Sequence, residues 1–95
     1  MRWTWDPGKA EANLKKHKVG FDLAALALED PYALTVPDPY PNEERWDTVC
    51  SVVKGPADLI LFVVHTFPDD GERLAGRIIS ARKATARERA DYEDG

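Results

Sequence analysis

The spacing of hydrophobic and polar residues along the chain predicts eight secondary-structure elements. Short alternating stretches indicate strands, and apolar residues three or four positions apart indicate helices. The predicted class is α+β: an antiparallel β-sheet with two N-terminal helices packed on it and a short C-terminal helix. In chain order the elements are a strand, two helices, four strands and a helix, at residues 3–5, 7–18, 23–29, 32–36, 45–54, 59–66, 72–81 and 86–92.

Particular residues predict where the first two helices begin and end. Asp6 precedes a proline and is predicted to cap the first helix. Gly20 is predicted to close that helix in a left-handed conformation. Asp22 is predicted to cap the second helix, with Phe21 and Leu26 packing against each other across the cap.

The longest apolar run predicts the centre of the sheet. Residues 59–64 are almost continuously apolar, which is typical of a strand covered on both faces. Turns rich in Gly, Pro and Asp at 55–58 and 68–71 join this strand to its neighbours, as in an antiparallel meander. The strand at 32–36 is flanked by prolines, which cannot donate to a ladder, so it is predicted at an edge.

The stretch from Arg77 to Glu88 combines a buried strand with a helix start. Its adjacent isoleucines favour a strand, and Thr85 with Glu88 has the spacing of a capping box. Arg82 and Lys83 lie between the two elements. Two cations beside the unpaired N–H groups of a helix start predict an anion site. The alternative is a strand-to-helix junction with solvated charges.

Length and composition limit the classes of protein that the chain can belong to. Ninety-five residues, 43% of them hydrophobic, predict one globular domain over residues 1–95. The single Cys50 excludes an internal disulfide. No signal peptide is recognisable and no apolar run is long enough to span a bilayer, so a cytoplasmic protein is predicted.

The charge is distributed unevenly. The net charge is −4, but residues 71–90 hold six basic and two acidic residues, which is +4, and the rest of the chain is −8. A local basic patch on an acidic protein can meet a polyanion or an acidic partner. It is weaker evidence for nucleic acid than a basic protein would be.

The residues favour chemistry that uses the chain's own groups. Two His and one Cys show no metal-ligand spacing, and no Gly-rich phosphate loop is present, so no metal or cofactor is predicted.

His65 ends the central strand, where its ordinary pKa suits proton transfer. Arg45 begins a strand beside Glu43 and Glu44, and the alternative for it is a weak surface ion pair. RNA cleavage needs only cations to neutralise the phosphate and groups to move two protons, because the ribose 2′-OH is already in place.

The ordered set of short motifs resembles the BrnT family of type II toxins, and the resemblance runs almost end to end. The matching residues are Trp5-Asp6-Pro7 with Lys9 and Ala10, Asn13-Leu14 with Lys16-His17, Val19 with Phe21, Asp30-Pro31, Glu44-Arg45-Trp46, Val63-Val64-His65-Thr66, Arg77 through Thr85, Arg87-Glu88-Arg89 and Tyr92-Glu93.

The resemblance implies a metal-independent ribonuclease with a RelE-like fold that inhibits translation by cleaving RNA. It also implies a ribbon-helix-helix antitoxin, BrnA, that neutralises the toxin in a hetero-oligomer. That pair represses its own promoter, so DNA is contacted only indirectly, and no membrane is involved.

The resemblance and the chemistry of the side chains together select the candidate site residues. By matching position, Arg45 and Arg82 are expected to be functional, and chemistry adds Lys83, Arg77 and His65 as catalytic candidates. Arg87 joins Arg82 and Lys83 as a predicted RNA-binding residue.

Two other functions are compatible with the same residues. The basic patch could serve a non-catalytic module that binds antitoxin or nucleic acid, or the chain could be a structural subunit of a repressor complex.

Lys18 stands where the family usually has Gly, and Gly20 where a small polar residue is usual. These departures predict that the helix-closing glycine has moved by two positions.

Overall fold

The computed structural model describes residues 2–54, 57–67 and 74–94. The predicted turn at 68–71, two residues of the turn at 55–58 and the first two residues of the predicted strand 72–81 lie outside this part. The elements are β1 (Arg2–Thr4), α1 (Pro7–His17), α2 (Phe21–Ala27), β2 (Leu34–Pro37), β3 (Trp46–Lys54), β4 (Ala57–His65), β5 (Leu74–Lys83) and α3 (Ala86–Asp94).

The five strands form one sheet in the order β1-β5-β4-β3-β2. Strands β2 to β5 pair antiparallel with their neighbours, and β4 is central, as the apolar run predicts. β1 joins the outer side of β5 in parallel, which makes the sheet mixed. The predicted α+β class, with two N-terminal helices and a short C-terminal one, is confirmed.

The hydrophobic core lies between one face of the sheet and helices α1 and α2. α1 packs on β5, and α2 packs across β3, β4 and β5. Central strand β4 buries alternate residues, with Leu61 and Val63 fully covered and Phe62 and Val64 half-buried. The second face is therefore less covered than the apolar run predicts. The core residues are Val19, Phe21, Ala24, Ala27, Cys50, Leu61, Val63, Ile78 and Ala81.

The first helix ends two residues before the predicted glycine. Asp6 caps the start as expected, with its carboxylate accepting from the N–H groups of residues 8 and 9. At the other end Lys18 takes the left-handed conformation, with φ of 61°. Gly20 has φ of −82° and caps α2 instead. The prediction for Gly20 is wrong because α2 begins at Phe21, which leaves Lys18 to turn the chain.

The second helix also begins earlier than predicted. Gly20 is its N-cap, and Asp22 lies in the first turn without acting as the cap. Phe21 is buried, whereas Leu26 is 58% exposed, so the predicted packing of these two side chains is wrong. None of the helices in the described part of the chain has the length and apolar character needed to span a bilayer.

Candidate active site on the arginine face of the sheet

Side-chain alternation along the strands separates two faces of different chemistry. Residues directly opposite one another on neighbouring strands share a face. Arg82 is opposite Phe62, and Phe62 is opposite Val49, on the side away from α1 and α2. We call this side the arginine face, because Arg45 and Arg77 also lie on it, and the other side the helix face.

Arg82 lies between an aromatic ring and a carboxylate. Its guanidinium carbon is 4.1 Å from the centre of the Phe62 ring. Its two terminal nitrogens donate to the two carboxylate oxygens of Glu88 at 2.8 and 2.9 Å. Such a paired arrangement fixes the plane of the guanidinium as well as its position. Arg82 is thus oriented before any ligand arrives.

Glu88 also completes the predicted capping box of α3. It accepts a hydrogen bond from the N–H of Thr85 at 2.8 Å, and its own N–H donates to the Thr85 hydroxyl at 3.2 Å. The capping-box prediction is confirmed. The hydrogen bond from Arg82 is the main reason that the pKa of Glu88 is lowered, so this carboxylate is ionised at neutral pH. The start of α3 and the guanidinium of Arg82 are therefore held together through one carboxylate.

The backbone before Arg82 is fixed by Asn13, a buried residue of α1. β1 pairs with β5 only as far as Arg77, so the outer edge of Ala81 has no strand partner. The Asn13 side chain replaces that partner: it donates to the carbonyl of Ala81 at 2.8 Å and accepts from its N–H at 3.1 Å. Buried backbone groups need such partners, and this pair holds the end of β5 rigid.

Arg45 and Arg77 share one carboxylate. Glu43 accepts from Arg45 Nε at 3.0 Å and from Arg77 Nη2 at 2.7 and 2.9 Å. The Arg45 guanidinium carbon also stacks 3.8 Å from the centre of the Tyr40 ring. Within the described residues the terminal nitrogens of Arg45 make no hydrogen bond. Among the three arginines, Arg45 therefore has the least occupied fork.

A carboxyl pair lies among these arginines. Asp38 and Asp47 hydrogen-bond each other through their side chains. Asp38 is fixed by its own N–H, which donates to the Arg45 carbonyl at 2.9 Å, and by the Tyr40 N–H, which donates to its carboxylate at 2.9 Å. Oδ1 of Asp47 is buried and finds no hydrogen-bond partner in the described part of the chain.

The two carboxyl groups differ in acidity. Burial, and then the hydrogen bond and charge of Asp38, raise the pKa of Asp47 to about 7. The hydrogen bond from Asp47 and the Tyr40 N–H lower the pKa of Asp38. The charge of Arg82 opposes the rise in the pKa of Asp47, and that of Glu88 adds to it. The pair therefore holds one proton just below pH 7, loses it as the pH rises through about 7, and titrates as a unit.

Sequence reasoning assigned no role to this pair beyond a surface ion pair of Arg45 with neighbouring acids. One signal was present, because Asp is depleted in strands and Asp47 lies within one. The pairing of β2 with β3 places Val36 opposite Asp47, and this register brings Asp38 alongside. The prolines around β2 do not indicate which residues of β2 and β3 pair with each other.

His65 lies on the helix face and is not brought to the arginines. It is 1% exposed, and Trp3 and Phe67 pack against its ring edge to face. Its Nε2 is 2.6 Å from the Thr48 hydroxyl, and its Nδ1 is 3.2 Å from the Thr66 carbonyl. Burial lowers the pKa of His65, which keeps the ring neutral. These contacts are those of a satisfied core histidine.

The other predicted basic residues are at the surface. Lys83 lies opposite Leu61, on the helix face at the end of β5, and is exposed. Arg87 is exposed in the first turn of α3. The arginine face itself is nearly neutral, since Arg45, Arg77 and Arg82 are matched by ionised carboxylates on Asp38, Glu43 and Glu88. Residues 71–90 carry a net charge of +4, but within the described part of the chain Arg77 and Arg82 are each paired with a carboxylate.

Comparison with known protein families identifies the family of the chain. The model of the family described as the ribonuclease toxin BrnT of a type II toxin-antitoxin system matches residues 5–88 of the chain. That range includes the carboxyl pair and the three arginines of the arginine face. No curated protein matches the chain. The chain belongs to the BrnT family of ribonuclease toxins from type II toxin-antitoxin systems.

Proposed function

We propose that this chain is an endoribonuclease that cleaves RNA on its arginine face without a metal ion. The observation that carries the proposal is the meeting of three oriented arginines with a carboxyl pair that titrates near pH 7. The ribose 2′-OH is the nucleophile, so the protein must position the strand, neutralise the phosphate and accept a proton. Each of these tasks has a residue on this face.

Arg45 and Arg82 hold the scissile phosphate. Arg45 offers unoccupied terminal nitrogens, and the stacked Tyr40 ring keeps its guanidinium in place. Arg82 is oriented by Glu88 and Phe62, so little ordering is left for the transition state to impose. Lys83 and Arg87 raise the potential at the edge of the site and attract the RNA backbone.

The carboxyl pair accepts the proton. Both residues are half-buried; Asp38 takes the proton of the 2′-OH, while Asp47, whose Oδ1 is buried, sets the basicity of the pair. As O2′ bonds to phosphorus, the bond from phosphorus to O5′ breaks, and O5′ takes a proton from water. The products are a 2′,3′-cyclic phosphate and a free 5′-hydroxyl, and the pair returns its proton to water. A base with a pKa near the working pH is the most effective one.

The cellular setting follows from the family. A type II toxin has an antitoxin partner, and we propose that this antitoxin is a ribbon-helix-helix protein that forms a hetero-oligomer with the chain. The toxin would have a RelE-like fold, inhibit translation in the cytoplasm and reach DNA only through its antitoxin. Its near-neutral site suits both a nucleic acid and a protein partner.

A non-catalytic binding module is the second candidate function, and one observation favours it. Glu43 and Glu88 already occupy Arg77 and Arg82, so these two cations are neutralised before a phosphate arrives. In that case the arginine face would bind antitoxin or RNA without cleaving it. Cleavage by the purified protein separates the two functions.

The decisive variants are Arg82→Ala and Arg82→Lys. Losing one oriented donor to developing charge lowers turnover by about 10²–10³, so Arg82→Ala should lose RNA cleavage and growth inhibition. Arg82→Lys keeps the charge but not the fork and should restore little. Cleavage of a labelled RNA by purified protein is the measurement, with the thermal midpoint recorded for every variant.

Arg89→Ala is the matched control, because Arg89 is an exposed arginine of α3 outside the proposed site. It should cleave RNA as the wild type does. A folded Arg82→Ala protein that cleaves RNA and arrests growth at wild-type potency would rule out the assignment of Arg82. Folded wild-type protein that binds RNA but leaves it intact would favour the binding module.

A further inference from the structure

A groove beside the arginine face has no role in the steps above. It lies between the end of α3 and the chain that leads into β2, and its volume is 480 Å³. It is lined by Pro31, Tyr32, Ala33, Leu34, Tyr92 and Glu93. Two tyrosines, a proline and two aliphatic side chains make its walls mostly apolar, with one carboxylate at its rim.

The carboxylate of Asp30 joins the two sides of the groove. The hydroxyl of Tyr92 donates to the carboxylate of Asp30, which also accepts from the N–H of Tyr32 at 2.9 Å and from that of Ser51 at 2.9 Å. Burial alone would raise the pKa of Asp30, but these hydrogen bonds outweigh it and lower the pKa. Asp30 is thus ionised at neutral pH and holds the groove in shape without a ligand.

The groove adjoins the proposed site from two directions. Leu34 is directly opposite Val49 on the arginine face, and Val49 is two residues from Asp47 along β3. Tyr92 follows Glu88 by four residues on α3, which is about one helical turn. An RNA strand whose phosphate lies at Arg82 and Arg45 therefore passes this groove with an adjacent nucleotide.

The chemistry of the groove fits a base and not a phosphate. The ionised carboxylate of Asp30 behind the groove and the acidic side chain of Glu93 at its rim repel an anion. A neutral heteroaromatic ring stacks on tyrosine, and its amino groups can donate to a carboxylate. Tyr32 is 78% exposed, so its ring is available for stacking.

We propose that this groove binds a nucleobase of the RNA substrate, next to the phosphate held on the arginine face. The proposal rests on the proposed function, since it assigns the substrate of the same site. The base is stacked by Tyr32 and Tyr92 and adds affinity for the RNA strand whose phosphate lies on the arginine face. Tyr32 is thus a binding residue that acts on the affinity for RNA.

The first experiment measures binding without cleavage. Adenosine and cytidine 5′-monophosphate are titrated into the protein, with ribose 5-phosphate as the control that lacks a base, and backbone amide NMR shifts are followed. The nucleotides should shift the amide signals of residues 32–34 and 92–93, whereas ribose 5-phosphate should leave these signals in place. Equal shifts from all three compounds, or none at these residues, would overturn the base site whether or not the protein cleaves RNA.

The second experiment uses Tyr32→Ala with Tyr32→Phe as its matched control. Base stacking on an aromatic ring is worth about 1–3 kcal/mol, or roughly a 5- to 150-fold change in affinity. Tyr32→Ala should raise KM for RNA within that range and leave kcat within about threefold, and Tyr32→Phe should keep wild-type KM. A Tyr32→Ala enzyme with wild-type KM would overturn the proposal while leaving the assignment of Arg82 untouched.

Discussion

The two faces of the sheet use polar residues in different ways. On the helix face, Asn13 and His65 are buried and every polar contact they make is to a neutral group. On the arginine face, charged groups meet one another, and one carboxylate oxygen of Asp47 has no partner among the described residues. The position of a residue along its strand, odd or even, thus decides whether its polar group meets neutral partners on the helix face or charges on the arginine face.

His65 and Asp47 illustrate this contrast, because the fold changes the acidity of both side chains. Burial lowers the pKa of His65 and so makes its neutral form more stable. Burial raises the pKa of Asp47 to about 7, where it can exchange a proton at working pH. Burial thus favours the neutral form of both groups.

Truncating adjacent residues of β4 should have the largest effect and show the two faces directly. Leu61 is fully buried on the helix face, so Leu61→Ala should cost about 3–5 kcal/mol of unfolding free energy. Phe62 is half-buried beneath Arg82, so Phe62→Ala should cost less. Urea denaturation gives both values, and a larger loss at Phe62 than at Leu61 would reverse the assignment of the faces.

Replacing His65 should affect stability and leave the chemistry in place. His65→Ala removes a buried ring and takes from the Thr48 hydroxyl one of its two partners, leaving only Thr35, which together should cost about 2–4 kcal/mol. Cleavage per folded molecule should stay within about threefold of wild type, at a temperature where the variant is folded. A loss of about 10² or more in turnover would show that His65 takes part in catalysis.

The sequence predicted the elements of this fold better than their contacts across the sheet. The central β4, the edge strand β2 and the capping box of α3 all follow from local patterns, namely an apolar run, flanking prolines and the Thr85–Glu88 spacing. The carboxyl pair depends on the β2–β3 register, which no local pattern fixes. The parallel addition of β1 depends on a partner more than 70 residues away in the chain.

Charge was the least reliable guide to the site. Arg77 and Arg82 are basic in the sequence, yet Glu43, 34 residues from Arg77, and Glu88 neutralise them in the fold. Arg82 was predicted to face an anion at a helix start, and the anion that it meets in the structure is the helix's own Glu88. Counting charges along the chain does not show which of them pair in space.

The smallest expected effect tests a feature remote from the arginine face. Lys18 holds a left-handed conformation that costs a non-glycine residue about 1–2 kcal/mol, and the greater freedom of Gly in the unfolded chain offsets part of that. Lys18→Gly should therefore stabilise the protein by about 0.5–1 kcal/mol in urea denaturation, with cleavage unchanged. A destabilised variant would show that the contact of Lys18 Nζ with the Lys15 carbonyl outweighs the strain.

The pH dependence of RNA cleavage tests most directly whether the arginine face carries the chemistry. The carboxyl pair is an effective base only after it loses its last proton, so kcat/KM of the wild type should rise about tenfold per pH unit below pH 7 and level off above it. Asp47→Asn leaves Asp38 as a weak base, so its rate should be about 10²–10⁴ lower and flat between about pH 6 and 8. Asp58→Asn, an exposed carboxylate at the start of β4, should keep the wild-type profile. An Asp47→Asn enzyme that retains the wild-type rise and rate would contradict the account.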